Sequence, residues 1–236
     1  MKLTDNNRKN YINSRGETVR RVTSVIKTLS KDQLLYWANR IGLQGVSYSK
    51  ELTRTSNIGS FCHSVIEQYV RKDCIAAFDF MEFHIESQHD RREAMNALNS
   101  FEKWLKKFKN SHTFHVKFTE KVVVGENLGG TIDCGIDGWK DPDKVILVDY
   151  KTSSGFYFTQ FLQLSAYVML YEEVYGENTV EGIMVVRLDK KGKPGEARFI
   201  ARKHLDEFIL CFQCLYDVTI GVETLNRRFS DITQYV

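Results

Sequence analysis

At residue 112 the chain changes its period. From there FHVKFTEKVVV alternates apolar with polar, a turn at GENLGG follows, and TIDCGIDGW alternates again. After a second turn at KDPD comes the apolar run KVILVDYK. Alternation is the period of a half-buried strand, and a short apolar run between turns is a strand covered on both faces. The three segments therefore predict an antiparallel meander, whose faces must be covered by other elements. Upstream, KTLSKDQLLYWANRIG reads as a helix capped by Ser30, with apolar Leu34, Leu35, Trp37 and Ala38 and a stop at Gly42. A second helix is predicted to start at Ser56 or Asn57, with Ile58, Phe61, Cys62, Val65, Ile66 and Tyr69 at helical spacing. Residues 76–110 form a long helical region ending in Phe101, Trp104, Leu105 and Phe108, opposed by Lys103, Lys106, Lys107 and Lys109. Downstream, residues 156–175 are apolar around most of a helix, which fits packing between layers. Strands at TVEGIMVVRLD and EARFIA and a helix from His204 to about Thr224 complete an α+β pattern on one mixed sheet of about five strands.

With 236 residues, 42% of them hydrophobic, and only two prolines, the chain reads as one domain over residues 1–236. Within it a flexible basic and polar tail covers 1–15, a helical part 18–110 and a sheet part 112–226. The net charge is +3, but residues 1–55 hold eleven Lys/Arg against four Asp/Glu. A basic leading segment on a slightly acidic body fits a polyanion-binding surface as well as it fits an unevenly charged one. No run of eighteen apolar residues appears, so no membrane span is expected, and the start lacks the apolar core of a signal peptide. Five cysteines do not make a disulfide framework, and an intracellular, reducing setting is expected.

The chemistry concentrates in residues 129–167. A hairpin closing about Asp141 and Pro142 places Asp133 opposite Asp149, with Cβ atoms roughly 5 Å apart. Two carboxylates that close repel unless a cation lies between them, and a hard divalent ion, Mg²⁺ first, is the natural partner. Alternation puts Val145, Leu147, Asp149 and Lys151 on one face, which starts apolar and ends charged. Lys151 can orient a water or stabilise a developing oxyanion, and desolvation with neighbouring positive charge would lower its pKa toward a base. Gln163 and Tyr167, four apart, share a helix face behind the strand. An isolated Asp-x-Lys is common by chance; the ordered set is what carries weight. His63, four before Glu67, has a purely structural reading on residue type alone.

Taken together the set resembles the PD-(D/E)XK nuclease superfamily, and within it the RecB-like branch that includes mitochondrial genome maintenance exonucleases and small phage-encoded exonucleases. The matching motifs are Gly59-Ser-Phe-Cys-His63, Gly130-Thr-Ile-Asp133, Asp149-Tyr-Lys151-Thr152-Ser153 and Gln163-Leu-Ser-Ala-Tyr167, and the similarity covers roughly residues 18–225. The resemblance implies a restriction-endonuclease-like core, with His63, Asp133 and Asp149 as metal ligands and the Tyr150 carbonyl completing the shell. Lys151 would be the catalytic lysine, Gln163 and Tyr167 would position the phosphate or the DNA backbone, and Glu120 and Thr152 are possible additions. Glu120 is expected at the start of the first strand of the meander. The implied activity is a Mg²⁺-dependent DNA exonuclease, with Mn²⁺ able to substitute, acting on single strands or ends in replication, recombination or repair. Alternatives are a structure-specific endonuclease on the same core and a catalytically dead DNA-binding protein. Some relatives hold a four-cysteine iron–sulfur cluster. Here Cys211 and Cys214 have no third C-terminal cysteine, so they read as small core residues and no cluster is expected. Tyr36, Trp37 and Tyr48 are candidates for stacking on single-stranded bases.

Overall fold

In the computed structural model, residues 10–29, 32–72 and 79–232 are described. The chain opens with two short strands, β1 (Tyr11–Ile12) and β2 (Thr18–Arg21), so the end of the expected polar tail is part of the sheet. A single turn of helix, α1 (Val22–Ile26), follows directly from β2. Next come α2 (Asp32–Leu43) and α3 (Tyr48–Lys72), then a 3-10 turn at Phe80–Phe83 and α4 (Gln88–Lys109). Ser30, the expected cap of α2, and Cys74 lie outside the described residues. The helix expected to start at Ser56 or Asn57 begins eight residues or more earlier, at Tyr48, because nothing in SYSKELTRT breaks a helix. The long region before residue 110 is split by a left-handed His84, and α4 starts where Ser87 accepts a hydrogen bond from the Asp90 amide. The lysine face of α4 is exposed as its spacing predicts.

The meander forms β3 (Val116–Val124), β4 (Leu128–Asp137) and β5 (Val145–Lys151). Helix α5 (Phe158–Tyr175) crosses over to β6 (Val180–Arg187), which runs parallel to β5; β7 (Glu196–Ala201) and α6 (Asp206–Ile232) close the chain. The sheet is mixed and has seven strands, in the order β1-β2-β4-β5-β6-β7, with β3 on the other edge of β4. The two strands beyond the expected five are the N-terminal pair, each too short for alternation to show.

Both faces of the sheet are covered, which is why β5 is apolar from Val145 to Val148. Ile146, Val148 and Tyr150 pack with Ile58, Phe61, Val65, Phe101 and Leu105 of α3 and α4. Val145 and Leu147 pack with Leu162, Leu164 and Val168 of α5. Helix α5 lies between sheet and α6, as its all-round apolar surface predicts. One expectation fails in this layer: Cys211 and Cys214 are exposed, because α6 turns Leu205, Phe212 and Thr219 inward and leaves the cysteines on its outer side.

Helices α3 and α4 are tied by Arg54, whose guanidinium donates to both oxygens of Glu51 (2.7 and 2.8 Å) and to Asp90 and Glu93 (2.7 Å each). Replacing Arg54 by Met leaves three carboxylates facing one another. A stability loss of about 1–2 kcal/mol is expected at pH 7 in urea titrations. Arg54 holds Glu51 and Asp90 below their ordinary pKa values, so the stabilisation is full above the unfolded carboxylate range and fades as pH falls through it. An Arg54→Met deficit that persists undiminished at pH 3 would rule this origin out.

Candidate active site

The strand β4 is used unevenly along its two edges. On one edge β3 pairs with it from Gly129 to Ile136. On the other, β2 pairs only as far as Gly129, and β5 begins at Cys134 opposite Val148. Residues 130–133 therefore sit in a split between β2 and β5, without a ladder partner on that edge among the described residues. The register of Cys134 to Val148 and Gly135 to Leu147 is the one that the hairpin about Asp141 and Pro142 predicts, and it brings Asp133 and Asp149 to the mouth of the split. There the Tyr150 amide donates to Asp133 Oδ2 across 3.2 Å.

Four groups meet around Asp133. His63, on α3, has Nδ1 3.2 Å from Asp133 Oδ2. Glu120 belongs to the same cluster: one donor atom each from His63, Glu120 and Asp133 lies within 4.8 Å of the others. Glu120 is not at the start of its strand but in the middle of β3, with a left-handed backbone (φ 45°) that interrupts the ladder between Thr119 and Lys121. Such a conformation is strained for a non-glycine residue and occurs where a side chain must be re-aimed. The cluster lines a small, narrow cleft, with Glu67, Thr119 and Tyr150 among its other walls. Asp149 is buried beside it. Its Oδ1 accepts from Lys151 Nζ at 2.8 Å, and its Oδ2 is buried with no hydrogen-bond partner.

The electrostatics follow from burial and charge. Burial would lower the His63 imidazole, but the charge and hydrogen bond of Asp133 outweigh it and push His63 up to about 9. Burial would raise Asp133, yet His63, Lys151 and the Tyr150 amide hold it below its ordinary value. Asp149 is pushed up to about 6, first by burial; the charge of Asp133 adds to this and Lys151 opposes it. For Lys151 the expected lowering does not occur. Burial acts in that direction, but Asp149 and Asp133 together overcome it and the ammonium is held above its ordinary pKa. In the metal-free protein Lys151 is therefore held as an ammonium.

Gln163 Nε2 lies 3.5 Å from the Tyr167 hydroxyl, so the glutamine finds its partner one turn along its own helix. Burial, and next the negative charge of Asp133, hold the Tyr167 phenol above its ordinary pKa. The Tyr167 ring lies on Gly130: a Cβ there would meet Tyr167 Cε1 at 2.4 Å. Gly130→Ala should accordingly cost about 1–3 kcal/mol in thermal or urea unfolding, with most of that loss absent in a Tyr167→Ala background. Equal losses in both backgrounds would contradict the packing argument. Thr152 faces α3, its Oγ1 3.5 Å from where a Cβ on Gly59 would stand, an ordinary contact distance. One residue that spacing did not nominate also belongs here. Tyr11 of β1 packs on Gly129 and its hydroxyl lies 2.9 Å from Thr131 Oγ1, steadying β4 inside the split. Its signal was confined to a two-residue strand. Of the candidate stackers, Tyr36 is exposed, while Trp37 and Tyr48 meet edge to face at 5.6 Å.

His63, Glu120 and Asp133 form a donor set suited to a divalent cation; Asp149, with its buried unpartnered oxygen, is not within that close group but stands beside it. An α+β fold that gathers this set and a half-buried lysine at a split in its sheet has the makings of a metal-dependent hydrolytic enzyme. The family model of the PD-(D/E)XK nuclease superfamily matches residues 24–233, and the chain belongs to that superfamily of metal-dependent nucleases. Among curated proteins no relative matches. Among solved structures the chain is similar to SSO0001, at 14% identity and a TM-score of 0.42 over 90% of this chain and 79% of that one.

Proposed function

We propose that this nuclease is a Mg²⁺-dependent DNA exonuclease of the RecB-like kind, active on single strands or on DNA ends, with Mn²⁺ able to replace Mg²⁺. The observation that carries the reading is the buried Asp149 oxygen without a partner, next to Asp133 and across from a protonated Lys151. His63, Glu120, Asp133 and Asp149, with the Tyr150 carbonyl, would hold the cation. When bound, it supplies activation of the attacking water and neutralises charge on the phosphate. The chain's own residues do the rest. Lys151, fixed by Asp149, presents an ammonium to the phosphate oxygen on which charge develops. Gln163 and Tyr167 offer polar atoms from one helix face to position the phosphodiester, and Thr152 closes the wall toward α3. The helical part, residues 18–110, shapes how a strand reaches the split, with Tyr36 available to stack on a base.

The test uses DNA labelled at the 5′ or the 3′ end, single- and double-stranded, alongside closed circles, with Asp149→Ala as the inactive reference. Expected is stepwise loss of label from one end of linear DNA in the presence of Mg²⁺, with closed circles resistant. Efficient cutting of circles would replace this reading by the endonuclease alternative. No cleavage beyond that of Asp149→Ala on any substrate would favour an inactive DNA-binding protein.

A further inference from the structure

The N-terminal hairpin borders a second opening beside the split. This groove is lined by β1, β2 and α1, by Glu126 and Asn127 of the β3–β4 turn, and by Tyr216 and Ile220 of α6. Its connection to the active site is direct. Strand β2 stops pairing at Arg21, opposite Gly129, where the split opens. Tyr11 lines the groove, and its hydroxyl reaches Thr131 inside the split, two residues before Asp133. The Arg21 guanidinium stands over the Tyr11 ring, 5.7 Å from its centre. One surface thus leads from the carboxylates through Thr131 and Tyr11 to Arg21.

Part of the basic surplus of residues 1–55 is placed here. In the walls and directly behind them, Arg15, Arg20, Arg21 and Lys27 stand against Glu17, Glu126 and Glu223, so the groove is only slightly positive. What matters is where the charges lie. Glu17 and Glu126 both pair with Arg15. Glu17 precedes β2, about 13 Å from Arg21 at the rise of a strand. Glu223 is clasped by Arg20. Lys27 is exposed, and no carboxylate lies at ion-pair distance from it among the described residues. Arg21 and Lys27 cap the two ends of α1, about 9 Å apart along its axis. That is two to three nucleotides of a stacked strand at about 3.4 Å each.

We infer that the groove holds one flank of the nucleic-acid strand whose scissile phosphate lies in the split. Arg21 takes the first phosphate outside the split and Lys27 takes one further along. Both are positioning residues, which hold the strand in register and touch no reacting atom. Phosphate contacts fix orientation without reading sequence, so the groove carries no base preference. The inference rests on the nuclease reading of the site and is indifferent to whether cutting starts at an end.

Binding is measured first, by fluorescence anisotropy of a labelled single-stranded oligothymidylate with chelator present, so that nothing is cut. For Lys27→Glu the affinity should fall at least about tenfold at low salt. The slope of log K against log salt should shrink by about 0.7, the share of one phosphate contact on a single strand. Its unfolding midpoint should stay, because Lys27 is exposed. Arg21→Gln should weaken binding in the same way. Lys191→Glu, the same charge change on the exposed β6–β7 turn, should match the parent. With Mg²⁺ added, the two groove variants should raise KM for the strand about tenfold and keep kcat within about twofold, since Asp133, Asp149 and Lys151 are untouched. A parent that binds and cuts single strands while both groove variants match Lys191→Glu would overturn the inference and leave the nuclease reading standing. So would a loss confined to kcat. A parent that neither binds nor cuts any nucleic acid would overturn both.

Discussion

Asp149→Asn is expected to abolish cleavage, by at least about a thousandfold, and at the same time to leave the metal-free protein more stable at pH 7. The loss of activity follows from removing one of the three carboxylates that face the split, with a near-isosteric side chain that keeps the packing. The gain in stability follows from burial. Asp149 is 3% exposed, its second oxygen has no partner, and its pKa is pushed up to about 6. The folded protein thus holds this proton more tightly than the unfolded chain, and stability falls as pH rises from the unfolded carboxylate range through about 6. Asparagine carries no such penalty, and Lys151, about a quarter exposed (24%), keeps the Asp133 carboxylate as a partner. The two proteins should therefore unfold alike near pH 4, and the variant should lead by on the order of 1–3 kcal/mol at neutral pH with chelator present. Added Mg²⁺ or Mn²⁺ should reverse the order, because only the parent retains the full donor set for the ion. A variant that is less stable than the parent in chelator at pH 7 would show that Asp149 is not strained by its burial.

The sequence made the sheet's middle legible and left its ends obscure. The β4–β5 register could be read from Asp141 and Pro142 because a symmetric hairpin permits few alternatives, and the observed pairs agree. Alternation along β5 then assigned Val145 and Leu147 to one face and Ile146 and Val148 to the other. The pairing of β1 with β2 was not legible, since two and four residues give no period, and its effect on the site comes only through the close approach of Tyr11 to Gly129. Glu120 shows a different limit. It was expected at the start of β3 and stands in its middle, and its left-handed backbone, beside His63 and Asp133, is a feature that no local pattern records. The sign of the Lys151 shift was misread for a related reason. Desolvation was anticipated, whereas the opposing pull of two carboxylates depends on distances that only the folded chain supplies. Cys211 and Cys214 were misplaced because α6 is apolar on both sides, so hydrophobicity alone could not say which side is the core.

Lys151→Met should be as inactive as Asp149→Asn but shift stability the other way. Methionine keeps the length of the side chain and removes the ammonium that donates to Asp149 Oδ1 at 2.8 Å. Asp149 then stays buried beside Asp133 with only the His63 imidazolium left to offset its charge, and breaking such a pair typically costs up to about 3–5 kcal/mol. Protonation of Asp149 relieves part of that cost, so the deficit should be smaller at pH 5 than at pH 8. Lys151→Arg should recover some stability without recovering cleavage, because a planar guanidinium cannot occupy the position of a compact ammonium. The double variant, Asp149→Asn with Lys151→Met, removes both charges and should unfold closer to the parent than Lys151→Met does. The resulting coupling energy would measure the pair directly. If Lys151→Met is as stable as the parent, or retains cleavage within about tenfold, the ammonium is neither the partner that holds Asp149 in place nor the group that meets the phosphate.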